Sequence, residues 1–462
     1  MLKSRDIRTK ISRAPIGSAE ESCTKIAGLF TQVQDVPYKI MLFLVVFGAF
    51  RPDRLLPGGK ALMYLPTLLL LVLMLFLVRK PKKNFNNKQT KLFLCYFALI
   101  ALWVPFSRNT GLSRRVFQMF LTGTVPWFLS VIHFMDSPYK IEKLIRWSVG
   151  LSLFQAVLGL IGGGLVHLPS LQDENDFGLF VNCMLPFTFF LAQEAETSRR
   201  RLFYYAASAI FALANVASFS RGGFVGLCAV GAFCLFNAPN KARNFLILTI
   251  VVLILAFSAP KTYWAEIETI GPSAMHEDTG QARMDYWKAG WKMFLAHPLF
   301  GVGPMNYSVW VEDYHENRAR MWGRVAHSLY FTLLPEMGLV GIFLFFSMLY
   351  VSIKDHKHIY NLYNRRNALL ALINLPHAER AQASRIIRFY YFLSLALSGS
   401  AVGYLVTGAF ISVLWYGYFY GLVAQWVMVS NSAKQIESLL VNASSHSAAD
   451  QANVKPSVND RV

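Results

Sequence analysis

The sequence contains few charged residues and few cysteines for a chain of its length. Charged residues make up 15% of its 462 residues, whereas soluble proteins carry about 25%. Only five cysteines occur, and none of them is spaced as a Cys-x-x-Cys pair. The sequence therefore predicts neither a disulfide framework nor a zinc site, and its composition argues against a soluble multi-domain protein.

Hydrophobic residues form 54% of the chain and are concentrated in blocks, such as those at 61–78, 245–257 and 331–351. A helix needs about 20 mostly apolar residues to cross a bilayer. The blocks predict an all-α fold, a polytopic transmembrane helical bundle with about twelve spans. We expect these spans near residues 38–54, 60–79, 91–107, 116–134, 144–164, 176–194, 201–219, 222–238, 243–259, 327–352, 386–407 and 409–430.

The formal net charge of the chain is +19, which in a soluble protein would point to nucleic acid. In a membrane protein, Lys and Arg collect in cytoplasmic loops instead. If the N-terminus is cytoplasmic, the basic clusters at 79–91, 199–201 and 354–388 all fall in inner loops, whereas the outer loop 162–175 has no Lys or Arg. The charge pattern therefore predicts contact with membrane lipids, no nucleic-acid partner, and two cytoplasmic termini.

The remaining segments divide the chain into a membrane domain and two tails. Residues 1–36 are polar and basic and lack the apolar core of a signal peptide, so we expect a disordered cytoplasmic tail. A transmembrane domain at 37–430 follows, with an outer loop at about 260–326 (the long outer loop) and a cytoplasmic loop at about 353–385. Residues 431–462 are expected to form a second disordered cytoplasmic tail.

Two arginines on the outer side are candidates for binding phosphate. Arg221, in Ser-Arg-Gly-Gly, follows one apolar block and begins the next, and its guanidinium can fork onto phosphate oxygens. Arg283 lies in the long outer loop on a predicted amphipathic helix at 281–296. Taken singly, each arginine is better explained by snorkelling to lipid headgroups or, for Arg283, by exposure to water.

His327 lies where the long outer loop re-enters the membrane, in Ala-His-Ser-Leu-Tyr. An imidazole suits a general base, although a lone interfacial histidine can also simply cap a helix. With Arg221 and Arg283 on the same side, these residues suggest a diphosphate leaving group and an activated hydroxyl. The outer loops contain no carboxylate–histidine cluster at metal-ligand spacing, so we expect no metal and no cofactor.

At these residues the sequence resembles the O-antigen ligase and O-antigen polymerase family of bacterial cell-envelope glycosyltransferases. The resemblance is carried by SFSRGGFVGL at 218–227, QARMDYWKAGWKMFLAHPLFGVG at 281–303 and AHSLYFTLLPEMGLVGIFLFF at 326–346. It implies a bundle of about twelve spans in the bacterial inner membrane, with one larger periplasmic loop and a periplasmic active site.

The resemblance also implies a reaction and its participants. The donor would be a glycan on undecaprenyl diphosphate, transferred with inversion and without a metal to an acceptor hydroxyl. Arg221 and Arg283 match the family's diphosphate-binding arginines, and His327 matches the histidine that acts as the base.

Three functions stay open at this point. The acceptor of a ligase is lipid A–core or another hydroxyl, whereas an O-antigen or exopolysaccharide polymerase uses the next lipid-linked repeat unit. The stretch from Arg283 to His327 is short for a lipopolysaccharide ligase. A transporter of lipid-linked sugars and a non-catalytic scaffold are the other hypotheses.

Tryptophans in the long outer loop are candidates for stacking on sugar rings. An aromatic belt at the membrane interface is the alternative use of such residues. The tryptophans concerned are Trp287, Trp291, Trp310 and Trp322.

Overall fold

The computed structural model describes most of the predicted membrane domain. The described residues are 34–50, 64–79, 86–162, 173–246, 278–316, 321–373 and 375–453, with the single positions 28, 62 and 249. Within these ranges the secondary structure is helical and contains no β-strand, which confirms the all-α prediction.

The helices before the long outer loop are mostly of the length of one span. They are α1 (Val36–Phe50), α2 (Leu65–Arg79), α3 (Lys88–Trp103), α4 (Thr110–Phe134, with a π-helical turn at Phe120–Thr124), α5 (Pro138–Ile161), α6 (Glu174–Glu194), α7 (Ser198–Ala217) and α8 (Arg221–Phe236). The later helices are α9 (Asp278–Ala296), α10 (Tyr307–Tyr314), α11 (Leu329–Ala371), α12 (His377–Gly408) and α13 (Gly417–Asn453).

Five of these helices, α4, α5, α6, α11 and α12, are long and apolar enough to cross a membrane. The helices α1 and α8 and the segment Leu65–Leu77 are apolar but shorter. The membrane character predicted from the apolar blocks is therefore supported, while the number of twelve spans stays a prediction. The span expected near 243–259 lies largely outside the described residues.

The cytoplasmic loop expected at 353–385 is mostly helical. Helix α11 continues to Ala371 and α12 begins at His377, so only a short turn separates them. The extension of α11 is stabilised because Ile359, Leu362 and Leu369 continue its buried face at helical spacing. Charged residues between these positions hide the apolar stripe in the sequence.

The tail expected to be disordered at 431–462 is also helical as far as Asn453. This segment is helical because small and apolar side chains form a buried stripe along it. The polar residues between them make the stripe hard to recognise in the sequence. This stripe consists of Ala433, Ile436, Leu440 and Ala443. Two ion pairs with α11 accompany it, Lys434 with Asp355 at 3.0 Å and Glu437 with Arg365 at 2.8 Å.

The helices around α6 approach one another closely through glycine and amide side chains. A Cβ atom at Gly226 of α8 would lie 2.0 Å from Oγ1 of Thr407 on α12. The Asn182 amide of α6 donates to the Gly223 carbonyl at 2.8 Å and to Oγ1 of Thr407 at 2.9 Å. Small residues and buried hydrogen bonds are the usual means of joining helices in a membrane. This contact fixes α6, α8 and α12 relative to one another.

Helix α11 is broken at Gly338, whose φ is 58° and ψ is −166°. The segment 298–303, which follows α9, runs along the break and pairs with the backbone there. Leu339 N donates to Pro298 O at 2.8 Å, and Gly303 N donates to Glu336 O at 3.0 Å. The backbone groups freed by the break are thereby hydrogen-bonded again.

The buried carboxylate of Glu336 organises the chain beside this break. It accepts hydrogen bonds from Met305 N at 2.9 Å, from Tyr307 N at 3.0 Å and from Trp415 Nε1 at 2.8 Å. Three donors offset the cost of burying this carboxyl group. These bonds connect the first part of α11 to the beginning of α10 and to the segment before α13.

Gly338→Ala is expected to destabilise the protein. A Cβ atom there would lie 2.6 Å from the Leu299 backbone, and the residue already has a φ that favours glycine. Strained backbone of this kind costs about 1–3 kcal/mol, so thermal unfolding in detergent should begin at a lower temperature. The control is Gly231→Ala on α8, where nothing lies within 4 Å of the new Cβ. Equal melting temperatures of the two variants would contradict the argument.

Candidate active site

Arg221 is the first residue of α8, and its neighbour Ser220 forms the N-cap. The Ser220 hydroxyl accepts a hydrogen bond from Gly223 N at 2.9 Å and donates one to Asn175 Oδ1 at 2.8 Å. The second bond joins the beginning of α8 to the beginning of α6. The half-buried Arg221 side chain therefore starts from a fixed point between these two helices.

The beginning of α6 carries two carboxylates. Asp173 is the N-cap and accepts hydrogen bonds from Asn175 N at 2.8 Å and Asp176 N at 3.3 Å. Glu174 lies in the first turn. Carboxylates are favoured at this end of a helix because the helix dipole is positive there.

His327 immediately precedes the N-cap of α11 and has a left-handed backbone with φ of 47°. Two contacts hold this segment. Ser328 caps α11 by accepting from Phe331 N at 3.4 Å, and Trp287 Nε1 donates to Ala326 O at 2.9 Å. The indole of Trp287 also stacks on Phe331, with ring centres 5.1 Å apart and planes 8° apart. The imidazole is exposed on a backbone that is fixed on both sides.

The beginnings of α6, α8 and α11 lie at one end of the bundle, around the end of α12; we call it the site end. A Cβ atom at Gly222 would lie 2.7 Å from Phe410 Cβ, just beyond α12. Tyr330 of α11 donates its hydroxyl to Leu405 O of α12 at 3.0 Å. Three helix N-termini, each with a positive dipole end, therefore meet where the candidate residues are.

The charges of the site residues influence one another. Burial lowers the pKa of Arg283, and the positive charge of Arg221 lowers it further. The carboxylates of Glu174 and Asp173 act in the opposite direction. The two predicted arginines are thus close enough to repel each other, and an anion between them would relieve this repulsion.

His327 belongs to the same electrostatic group. Although the imidazole is exposed, the protein around it removes part of its hydration and so lowers its pKa, and the charges of Arg283 and Arg324 favour the neutral form as well. The carboxylate of Asp173 opposes this shift. Arg283 therefore lies within electrostatic range of both Arg221 and His327.

Asp173, Glu174 and Arg324 were not singled out in the sequence. The signal available for the two acids was their position directly before an apolar block, where an acidic pair marks a helix beginning. Arg324 had no comparable signal, because it is one of several basic residues near the end of the long outer loop.

The four tryptophans of the long outer loop differ in their surroundings. One face of Trp287 is covered by Phe331, and Trp310 lies between Arg108 and the ring of His297, 5.0 Å and 5.1 Å from its ring centre. Trp291 and Trp322 are 48% and 64% exposed. The exposed pair therefore has ring faces available for a sugar, whereas Trp287 and Trp310 pack within the protein.

Among the described residues, no group of three or more His, Cys, Asp or Glu side chains is arranged to hold a metal ion. Cys183 and Cys234 are buried as free thiols, and Cys95 and Cys228 are exposed ones.

Residues 206–346 match the family model described as O-antigen ligase. This match supports a relationship to the O-antigen ligase family over that segment of the chain. The matched segment contains Arg221, Arg283 and His327, together with the break in α11. No curated protein matches the chain. The match supports a protein of the ligase or polymerase type, and so an enzyme in general terms, and the apolar helices support a membrane protein.

Proposed function

We propose that this O-antigen ligase domain transfers a glycan from undecaprenyl diphosphate to an acceptor hydroxyl at the periplasmic face of the inner membrane. The observation that carries the proposal is the mutual electrostatic influence of Arg221, Arg283 and His327 at the site end. A cation pair and an imidazole are the groups that such a transfer requires.

The two arginines bind the diphosphate of the donor. Guanidinium groups form paired hydrogen bonds with phosphate oxygens, and the N-termini of α8 and α11, which carry no carboxylate in their first turn, favour the same anion. During transfer the bond between the anomeric carbon and the diphosphate oxygen breaks, and its electron pair leaves with the diphosphate. Arg221 and Arg283 stabilise the charge that develops on this leaving group.

His327 removes the proton of the acceptor hydroxyl as its oxygen forms the new bond to the anomeric carbon. Because partial desolvation and the neighbouring arginines lower its pKa, the imidazole is neutral near pH 7 and can accept this proton. Attack opposite the departing diphosphate inverts the configuration at that carbon. The carboxylate of Asp173 then stabilises the imidazolium that has formed.

A ligase and a polymerase differ in the acceptor that they use, and we favour a ligase. Purified protein is given an undecaprenyl-diphosphate glycan together with either lipid A–core or a second lipid-linked repeat. Glycosylated lipid A–core indicates a ligase, and a ladder of longer lipid-linked glycans indicates a polymerase. Folded protein that forms neither product would count against both reactions and favour transport of the lipid-linked glycan.

Trp287 is expected to act as a positioning residue for His327. In Trp287→Phe the stacking on Phe331 is retained, but the hydrogen bond to Ala326 O is lost, so the imidazole is held less firmly. We expect kcat to fall about tenfold with little change in KM for the donor, since small displacements of a catalytic group are costly. Trp147→Phe, which alters an exposed tryptophan of α5, is the control. Unchanged kcat in Trp287→Phe would rule out this role.

A further inference from the structure

A second cationic region lies at the opposite end of the bundle from His327. It is a cavity of about 360 Å³, which we call the arginine cavity. Its arginines are Arg201 at the beginning of α7, Arg366 far along α11 and Arg388 in the first half of α12, together with Arg243 after α8. The other lining residues are Gln193, Pro239, Asn240, Tyr363 and Phe392.

The four guanidinium groups are held by neutral acceptors. Each of them donates to a backbone carbonyl or an amide oxygen, which fixes its direction without neutralising its charge. The bonds are Arg201 to Ala195 O at 3.1 Å, Arg243 to Gln193 Oε1 at 3.2 Å, Arg366 to Tyr363 O at 2.7 Å and Arg388 to Gln193 O at 2.9 Å. Arg366 also lies 3.9 Å from the ring centre of Tyr363, which orients its plane.

Among the residues that the structure describes, no carboxylate lines the arginine cavity and none of its arginines forms an ion pair. Glu194 interacts electrostatically with Arg388, but its carboxylate is paired with Arg146 at 3.3 Å. The Nε atom of Arg366 is buried without a hydrogen-bond partner. Four positive charges that face one cavity repel each other, so the protein gains free energy when an anion occupies it.

A neighbouring cationic cavity shows the contrasting arrangement. It has a volume of about 610 Å³ and contains Glu142 beside Arg146. Glu142 forms ion pairs with Arg146 at 2.9 Å and with Arg385 at 3.0 Å. Positive charge alone therefore does not distinguish the arginine cavity; the absence of a carboxylate among its lining residues does.

We infer that the arginine cavity is a binding site for a phosphate-bearing polyanion, separate from the proposed active site. Arginine is suited to binding phosphate because its planar guanidinium group can donate two parallel hydrogen bonds to phosphate oxygens. The volume lies within the range of about 300–1,000 Å³ for ligand pockets. The two sources of this chemistry are a soluble diphosphate and the headgroup of an anionic phospholipid, since basic pockets between helices bind such headgroups. By contacting α7, α11 and α12 together, the anion stabilises the bundle.

The test compares two double variants of equal charge change. Arg366→Gln/Arg388→Gln removes two cavity charges, whereas Lys354→Gln/Lys357→Gln removes two exposed charges of α11 outside the cavity. Both are made in an Arg221→Gln/Arg283→Gln background, so that binding at the proposed active site does not contribute. Arg243→Gln alters an exposed cavity residue and serves as a second variant should the first fail to fold.

Binding of inorganic pyrophosphate is measured in detergent, and the rise in melting temperature is measured in phosphatidylcholine nanodiscs with and without phosphatidylglycerol. If the ligand is a soluble diphosphate, pyrophosphate should bind, the cavity variants should weaken its binding at least tenfold, and the lysine control should not. A lipid ligand predicts stabilisation by phosphatidylglycerol that only the cavity variants lose. If neither anion binds, or if cavity and control variants respond alike, the inference is overturned.

Discussion

Replacing His327 by asparagine is expected to lower the rate of glycan transfer by about 10²–10⁴-fold, the range for loss of a general base. Asparagine tolerates the left-handed backbone at this position, where φ is 47°, so the fold should be kept while the base is lost. The rate is measured with purified protein and the acceptor identified by the ligase assay. His377→Asn, an exposed histidine at the beginning of α12, is the matched control. Full activity of the His327 variant would remove the histidine from the mechanism.

The pH dependence of kcat/KM distinguishes a base from a cation at His327. A base must be neutral, so activity is present above the pKa of His327 and falls as the pH drops through it. Because the neighbouring arginine lowers this pKa, the fall should begin below the ordinary histidine value of about 6.5. Removing the positive charge in Arg283→Gln should move the fall to higher pH. Activity that rises as the pH is lowered would instead assign His327 to holding the diphosphate.

Loss of either diphosphate-binding arginine should have the second large effect. Arg283→Gln and Arg221→Gln are each expected to reduce kcat by about 10²–10³-fold, as for other groups that stabilise developing negative charge. Because the two side chains act on one anion, the double variant should lose less than the product of the single effects. Arg283→Lys keeps the positive charge but cannot form the paired hydrogen bonds of a guanidinium group, so it should retain part of the activity.

The matched control for these arginines is Arg115→Gln. Arg115 is exposed on α4, and by the predicted topology it faces the same side of the membrane. Removing this charge changes the overall electrostatic potential of the protein but no group that binds the diphosphate, so kcat should stay within about twofold of the wild type. Strictly multiplicative losses at Arg221 and Arg283, or an equal loss at Arg115, would show that the arginines act only through overall charge.

The helical class could be predicted, and the three candidate site residues could be selected, because their signals are local. Apolar blocks of about 20 residues specify membrane helices whatever they pack against. Arg221, Arg283 and His327 each stand within a short motif that resembles the family. The family match over 206–346 includes all three.

The helical extensions at 353–371 and 431–453 were missed because their apolar positions are sparse. Ala433 and Ala443 are small residues that leave only a weak periodic signal. Their burial depends on the partner helix, which the local sequence does not specify.

The sequence by itself determined the helical, apolar character of the protein, and it placed Arg221, Arg283 and His327 in motifs that resemble the O-antigen ligase family. Tertiary structure decided that the charge of Asp173 acts on Arg283 and His327, and that segment 298–303 forms hydrogen bonds with the backbone at the break near Gly338. It also decided that no described residue lining the arginine cavity is a carboxylate. The physical reason for this division is that a periodic pattern or a short motif depends only on residues that are close in sequence. Charged residues on helices that are distant in sequence come close only if those helices pack together, and here glycine and amide side chains allow close packing.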